Sequence, residues 1–295
     1  MNGEKMLIKD KENIIMKYLF LCFVVVMFLP VISYAQHSCC SIDATAKFAS
    51  LASDANFVRA HDVPLPFHSN TLAGSMISFP CAGGANGSAY FVASAKHPNK
   101  VILMFHEFWG LNDYIKTEAD NLSKELDVTV CALDLYDGKV GATREEAQKY
   151  MQGLSQDRGN AIVDGIITYF GKNTHFGTIG WCMGGSWSQQ AALRGAKQVD
   201  ACVIYYGMPE TDPEKLKELH AHVEGFFGNK DKWISPKVVS DFKDAMKKAG
   251  KSLNVHTYDA DHAFANPSNP HHDKAATDDA HKYMVVFFKR QLKLF

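Results

Sequence analysis

Regular alternation of short apolar runs with amphipathic stretches governs most of this chain and leaves few folds open. Val101-Ile102-Leu103-Met104-Phe105 is a continuous apolar run, as a strand buried on both faces requires. Val128–Leu133, Phe176–Gly180, Ala201–Tyr206, Val223–Phe227 and Asn254–Tyr258 read as further strands. Asp113–Leu126, Arg144–Met151, Ala161–Phe170, Gly184–Arg194, Pro236–Ala249 and Lys274–Leu292 carry helical spacing. Two more short strands, Met76–Phe79 and Ala89–Ala93, flank Gly83-Gly84-Ala85-Asn86-Gly87, which reads as a hairpin turn. Strand–helix alternation of this length predicts an α/β domain over 71–295, with a mostly parallel twisted sheet and helices on both faces.

The first residues differ. Lys17 precedes an apolar run over Tyr18–Leu29, Pro30 breaks it, and Ser33-Tyr34-Ala35 offers small residues at both specificity positions of a signal-peptidase site. Residues 1–35 are therefore expected to be a signal peptide, with Met1 or Met16 as initiator and a periplasmic or secreted product. A retained anchor is the competing reading, but the run is shorter than the roughly 20 residues a spanning helix needs. No membrane association is expected after cleavage. Residues 36–70 read as an amino-terminal arm, helical near Asp43–Leu51 and extended at Val63-Pro64-Leu65-Pro66-Phe67.

The charge balance excludes some partners. With 31 basic against 32 acidic residues and no Lys/Arg run, nothing favours nucleic acid. Seven cysteines include no C-x-x-C, so neither a zinc site nor any other cofactor is expected from spacing. Cys131 and Cys202 sit in strand-like runs and read as buried small hydrophobes. His37-Ser38-Cys39-Cys40 is open to a soft-metal or a disulfide reading. His271, His272 and His281 with Asp278 and Asp279 read as a solvated patch.

Chemistry concentrates at three strand ends. Gly180-Trp181-Cys182-Met183-Gly184-Gly185 joins a strand to a helix in the G-x-S-x-G elbow pattern, with Cys182 in the nucleophile's place. The helix start favours a thiolate and supplies N–H groups for an oxyanion. Asp231 follows the strand ending at Phe227, and His262 follows the one ending at Tyr258. Nucleophile, acid, base is the chain order of one known triad family. Histidine takes a thiol proton and a carboxylate orients it. Asp259 and Asp261 compete with Asp231 for the acid role, though so close to His262 they would struggle to reach its ring.

Together these segments resemble the dienelactone hydrolase (carboxymethylenebutenolidase) family of the α/β-hydrolase superfamily. The resemblance spans Ser75–Phe295. It includes His106-Glu107-Phe108-Trp109-Gly110-Leu111-Asn112, Asp134-Leu135-Tyr136, the Cys182 elbow and the Asp231 and His262 turns. It implies a Cys182–Asp231–His262 triad, Glu107 against the resting thiol, and oxyanion donors at the backbone N–H groups of Phe108 and Met183. The resemblance further implies the clamp of founding members, which hold a substrate carboxylate with two arginines. Arg144 aligns with the first, while Asn266 stands at the second and brings no charge. Trp109 and Trp181 would make aromatic pocket walls, and His106, where the family commonly carries Gln, is another change in the pocket. The expected activity is hydrolysis of a small ester or lactone through a thioester. A broader carboxylesterase or thioesterase, or a non-catalytic binding protein of the same fold, are the alternatives. The oligomeric state is not readable.

Overall fold

The computed structural model describes residues 43–295. The expected signal peptide and the Cys39–Cys40 pair lie outside the described residues. Eight strands form one sheet in the order β1-β2-β4-β3-β5-β6-β7-β8. β1 (Ser75–Phe79) and β2 (Gly87–Val92) make the expected hairpin, and β2 also runs antiparallel to β4 (Thr129–Leu133). β3 (Lys100–Phe105), β5 (His175–Trp181), β6 (Val199–Tyr205), β7 (His222–Gly228) and β8 (Leu253–Tyr258) complete a parallel set with β4. This is an α/β-hydrolase fold. Ile102, Leu103, Met104 and Phe105 are fully buried, as an apolar central strand must be.

Topology places the site. From β3 the chain goes to β4 on one side and then crosses to β5 on the other. Strand order reverses there, so a crevice opens at the carboxyl ends of β3 and β5, where open α/β sheets bind ligands.

Before the sheet, α1 (Ala44–Ser50) and α2 (Ala55–Arg59) form two short helices. Later come α3 (Asp113–Leu126), α4 (Arg144–Gly153), α5 (Gln156–Phe170), α6 (Met183–Gly195), α7 (Pro213–Leu216), α8 (Pro236–Ala249) and α9 (Lys274–Leu292). α5 begins five residues before its apolar pattern does, because Ser155 caps it by accepting from the Arg158 N–H. The expected arm does not lie free of the core. Phe48 and Phe57 are fully buried and meet edge to face at 5.6 Å. Burying each is worth roughly 1.5–3 kcal/mol. Among the described residues no helix is long and apolar enough to cross a membrane.

Candidate active site

The elbow is strained where its pattern implies. Between β5 and α6, Cys182 has φ 57° and ψ −124°, a left-handed-side conformation that costs a non-glycine residue about 1–3 kcal/mol. Its flanking glycines are steric requirements. A Cβ on Gly180 would stand 2.0 Å from the Gly184 carbonyl oxygen, and one on Gly184 would stand 2.3 Å from that of Phe105. The Cys182 side chain is fully buried, and burial pushes its thiol pKa up despite the charge of nearby His262.

Asp231 and His262 meet across the loops after β7 and β8. His262 Nδ1–H donates to Asp231 Oδ2 at 2.6 Å, while Asp231 Oδ1 accepts from the N–H groups of Trp233 and Ile234, both at 2.8 Å. Burial alone would raise the Asp231 pKa, but the histidine and these N–H groups hold it below the usual carboxylate range. Burial likewise opposes charge on His262, yet the Asp231 carboxylate lifts its pKa well above that of a free imidazole. His262 Nε2 is buried and makes no hydrogen bond. Asp259 is spent on an exposed ion pair with Lys230, and Asp261 is exposed, so Asp231 is the acid that faces the ring.

A cavity of about 350 Å³ opens beside the elbow. Glu107, Trp109, Trp181, Tyr205 and Asn266 line it, so the two tryptophans do form aromatic walls. Glu107 does not hydrogen-bond the resting thiol; its Oε2 accepts instead from Asn266 Nδ2 at 3.3 Å. Burial raises the Glu107 pKa to about 7. The patch read as solvated contributes to the wall, through His272, Asp278 and His281, beside half-buried Glu118. Among the described residues no lysine or arginine lines the cavity.

Two further expectations need correction. Arg144 does not reach the cavity: its Nε donates to the His61 carbonyl at 2.6 Å and its guanidinium pairs with Asp62 at 2.6 Å. Packing of the amino-terminal segment against α4 claims the side chain. His106 is not a pocket residue either, being fully buried. Its Nε2 accepts from the Leu135 N–H at 3.2 Å, which leaves Nδ1–H to donate to the Glu107 carbonyl at 2.8 Å. It is a neutral tie between the ends of β3 and β4. Phe108 and Met183 do come together: the Tyr136 hydroxyl lies 3.3 Å from the Phe108 carbonyl oxygen and 2.9 Å from the Met183 sulfur.

One site residue escaped the sequence reading. His61, just beyond α2, places Nε2 3.6 Å from the Cys182 sulfur. Its Nδ1 lies 2.8 Å from the Phe57 carbonyl oxygen, which can only accept, so Nε2 carries the lone pair. Burial, then repulsion from His262, pulls its pKa down to about 3. The available signal was Phe57 and His61 four apart, on one face of a helical turn.

The sequence model of the dienelactone hydrolase family matches residues 88–292. The chain belongs to this family. Among curated relatives of this dienelactone hydrolase family member, protein usf of Aquifex pyrophilus is 26% identical over 215 residues, covering 68% of this chain and 93% of its own. A carboxymethylenebutenolidase of Pseudomonas putida is 27% identical over 208 residues, covering 65% and 86%. In fold, the chain is similar to a dienelactone hydrolase-like promiscuous phosphotriesterase from metagenomic libraries. That structure has a TM-score of 0.63 and 19% identity, with 74% of this chain and 99% of the other covered.

Proposed function

We propose that this protein hydrolyses a small carboxylic ester or lactone through a thioester on Cys182. The observation that carries the reading is His262: Asp231 fixes its Nδ1–H, and its buried Nε2, which makes no hydrogen bond, lies within 4.8 Å of the Cys182 sulfur on a strained elbow. In this reaction a modest rotation of the Cys182 side chain brings the thiol to Nε2, which takes its proton. The thiolate attacks the carbonyl carbon, and backbone N–H groups of Phe108 and Met183 receive the developing oxyanion. The intermediate collapses, the carbon–oxygen bond breaks, and the His262 proton goes to the leaving oxygen. Water then attacks the thioester with His262 as base, returning thiol and acid. Glu107 lines the substrate cavity, where its carboxyl group is poised near neutrality.

A cavity with Glu107, Glu118 and Asp278 in its wall and, among the described residues, no lysine or arginine favours neutral acyl groups over carboxylate-bearing ones. Neutral lactones and short esters are the proposed substrate class, and a broader carboxylesterase is the second reading that this wall favours. The test is intact-mass analysis after rapid mixing with a neutral activated ester. Wild type should carry one acyl group on Cys182, and Cys182→Ala none. Turnover by wild type with equal adduct and turnover in Cys182→Ala would sink the reading. We also propose export, with the mature protein beginning at Gln36; amino-terminal sequencing from the native host decides it.

A further inference from the structure

Cys182, His61 and His262, all three buried, bring metal-ligating atoms within 4.8 Å of one another. A hydrolase triad accounts for two of these residues and leaves His61 without a role. The geometry points to a second use of the same residues: we propose that they form a site for a single borderline-soft divalent cation such as Zn²⁺, bound by the Cys182 thiolate and the two imidazoles.

Three independent features support it. First, tetrahedral zinc with bonds of about 2.3 Å to sulfur and 2.0–2.1 Å to nitrogen separates its sulfur and nitrogen ligands by about 3.5 Å. The distance from Cys182 Sγ to His61 Nε2 is 3.6 Å, so that edge is already built. Second, each imidazole is oriented through its far nitrogen. His61 Nδ1–H donates to the Phe57 carbonyl at 2.8 Å, and His262 Nδ1–H donates to the Asp231 carboxylate at 2.6 Å. Ligating histidines nearly always have their second nitrogen held by a carbonyl or carboxylate, which directs the other lone pair at the metal. Third, His262 Nε2 is buried and unpartnered, and a buried polar atom without a partner calls for an explanation. A cation supplies it.

The ligand set also selects the ion. One thiolate with two imidazoles suits zinc or cobalt and leaves magnesium or calcium, which need oxygen ligands, without a claim. Binding forms one metal–sulfur and two metal–nitrogen bonds. It releases the thiol proton, and any proton on His262 Nε2, to solvent. No electron is transferred. Since the cation takes both the thiolate and the base of the proposed reaction, metal binding and ester hydrolysis exclude each other. The binding site itself stands or falls separately from that reaction.

Cobalt is the probe, because thiolate-bound Co²⁺ has a charge-transfer absorption that nitrogen-only sites lack. The full chain is used in a Cys39→Ser, Cys40→Ser background, since that pair is itself a soft-ligand candidate, and is stripped with chelator first. Titration should give the thiolate–cobalt band, saturating at one equivalent and displaced by Zn²⁺. Cys182→Ser should abolish the band. His61→Ala and His61→Gln should each weaken binding by at least about 10-fold, with His61→Gln covering the case in which the smaller side chain prevents folding. An absent band in the parent protein overturns the site. So does a band that survives Cys182→Ser, or cobalt affinity unchanged in a folded His61 variant.

Discussion

Asp231 accepts the His262 Nδ1–H at 2.6 Å, and both side chains are buried almost completely. The carboxylate selects the tautomer whose lone pair lies on Nε2, and it stabilises the imidazolium once a proton arrives. Asp231→Asn can present its amide to the ring and reverse that tautomer. Its expected cost is a 10²- to 10⁴-fold loss in kcat with little change in KM. Asp259→Asn, at an exposed ion pair with Lys230, should stay within about twofold of wild type. Steady-state kinetics on one neutral ester compares the two, and the reverse ranking would reassign the acid.

The elbow's backbone strain is separable from its chemistry. Cys182→Ala should lose turnover while folding normally. Cys182→Gly should also be inactive but accepts φ 57° without a Cβ penalty. Relief of strain, less the entropy glycine loses on folding, should leave Cys182→Gly more stable than Cys182→Ala by about 1 kcal/mol. Thermal melts of the two variants give the answer. Equal or lower stability for Cys182→Gly would mean the elbow stores no strain.

Glu107 gives the fold a pH dependence of definite sign. Its folded-state pKa is raised to about 7 by burial, above its unfolded value, so the protonated form is the one folding favours. The associated stability is complete below pH of about 4.5 and is lost as pH rises through about 7, a difference of roughly 3 kcal/mol. Glu107→Gln mimics the protonated acid and can still accept from Asn266. It should match wild type near pH 4.5 and melt higher at pH 8.5, by roughly 6–12 °C. A constant difference between the two melts across pH would remove Glu107 as the cause.

Much of this was legible because strands buried on both faces leave unbroken apolar runs. Val101–Phe105 and Ala201–Tyr206 read as buried strands on that ground alone, and Cys182, Asp231 and His262 each lie within four residues of a strand's carboxyl end. Short helices were less visible. Ala55–Arg59 and Pro213–Leu216 span too few residues for a 3.6-residue period to repeat, although Asp54 and Asp212 cap them in the usual way. His61 was invisible as a site residue for a different reason. It reaches Cys182 from 121 positions away, on a segment whose docking depends on Phe48 and Phe57 finding the core. The four-residue spacing of Phe57 and His61 puts them on one side of a turn but does not say where that turn docks. His106 and Arg144 misled in the opposite direction, since a motif aligns side chains without saying which neighbours will claim them.

Arg144 yields the last expectation. Its Nε holds the His61 carbonyl and its guanidinium holds Asp62, so it fastens the turn that delivers His61 to Cys182. A substrate clamp at this position would contribute one charge-assisted hydrogen bond, about 1.5–3 kcal/mol or roughly 10- to 150-fold in kcat/KM for an acidic lactone. Arg144→Ala should instead change acidic and neutral lactones by the same factor, leaving their ratio within about twofold of wild type. The loss should appear in the segment it fastens: faster limited proteolysis between Ala60 and Leu65, and faster amide exchange around His61. Arg144→Lys keeps the charge but not the two-point grip, so it should resemble Arg144→Ala in protease sensitivity. A selective loss on the acidic lactone, with the His61 turn as protected as in wild type, would return Arg144 to the substrate.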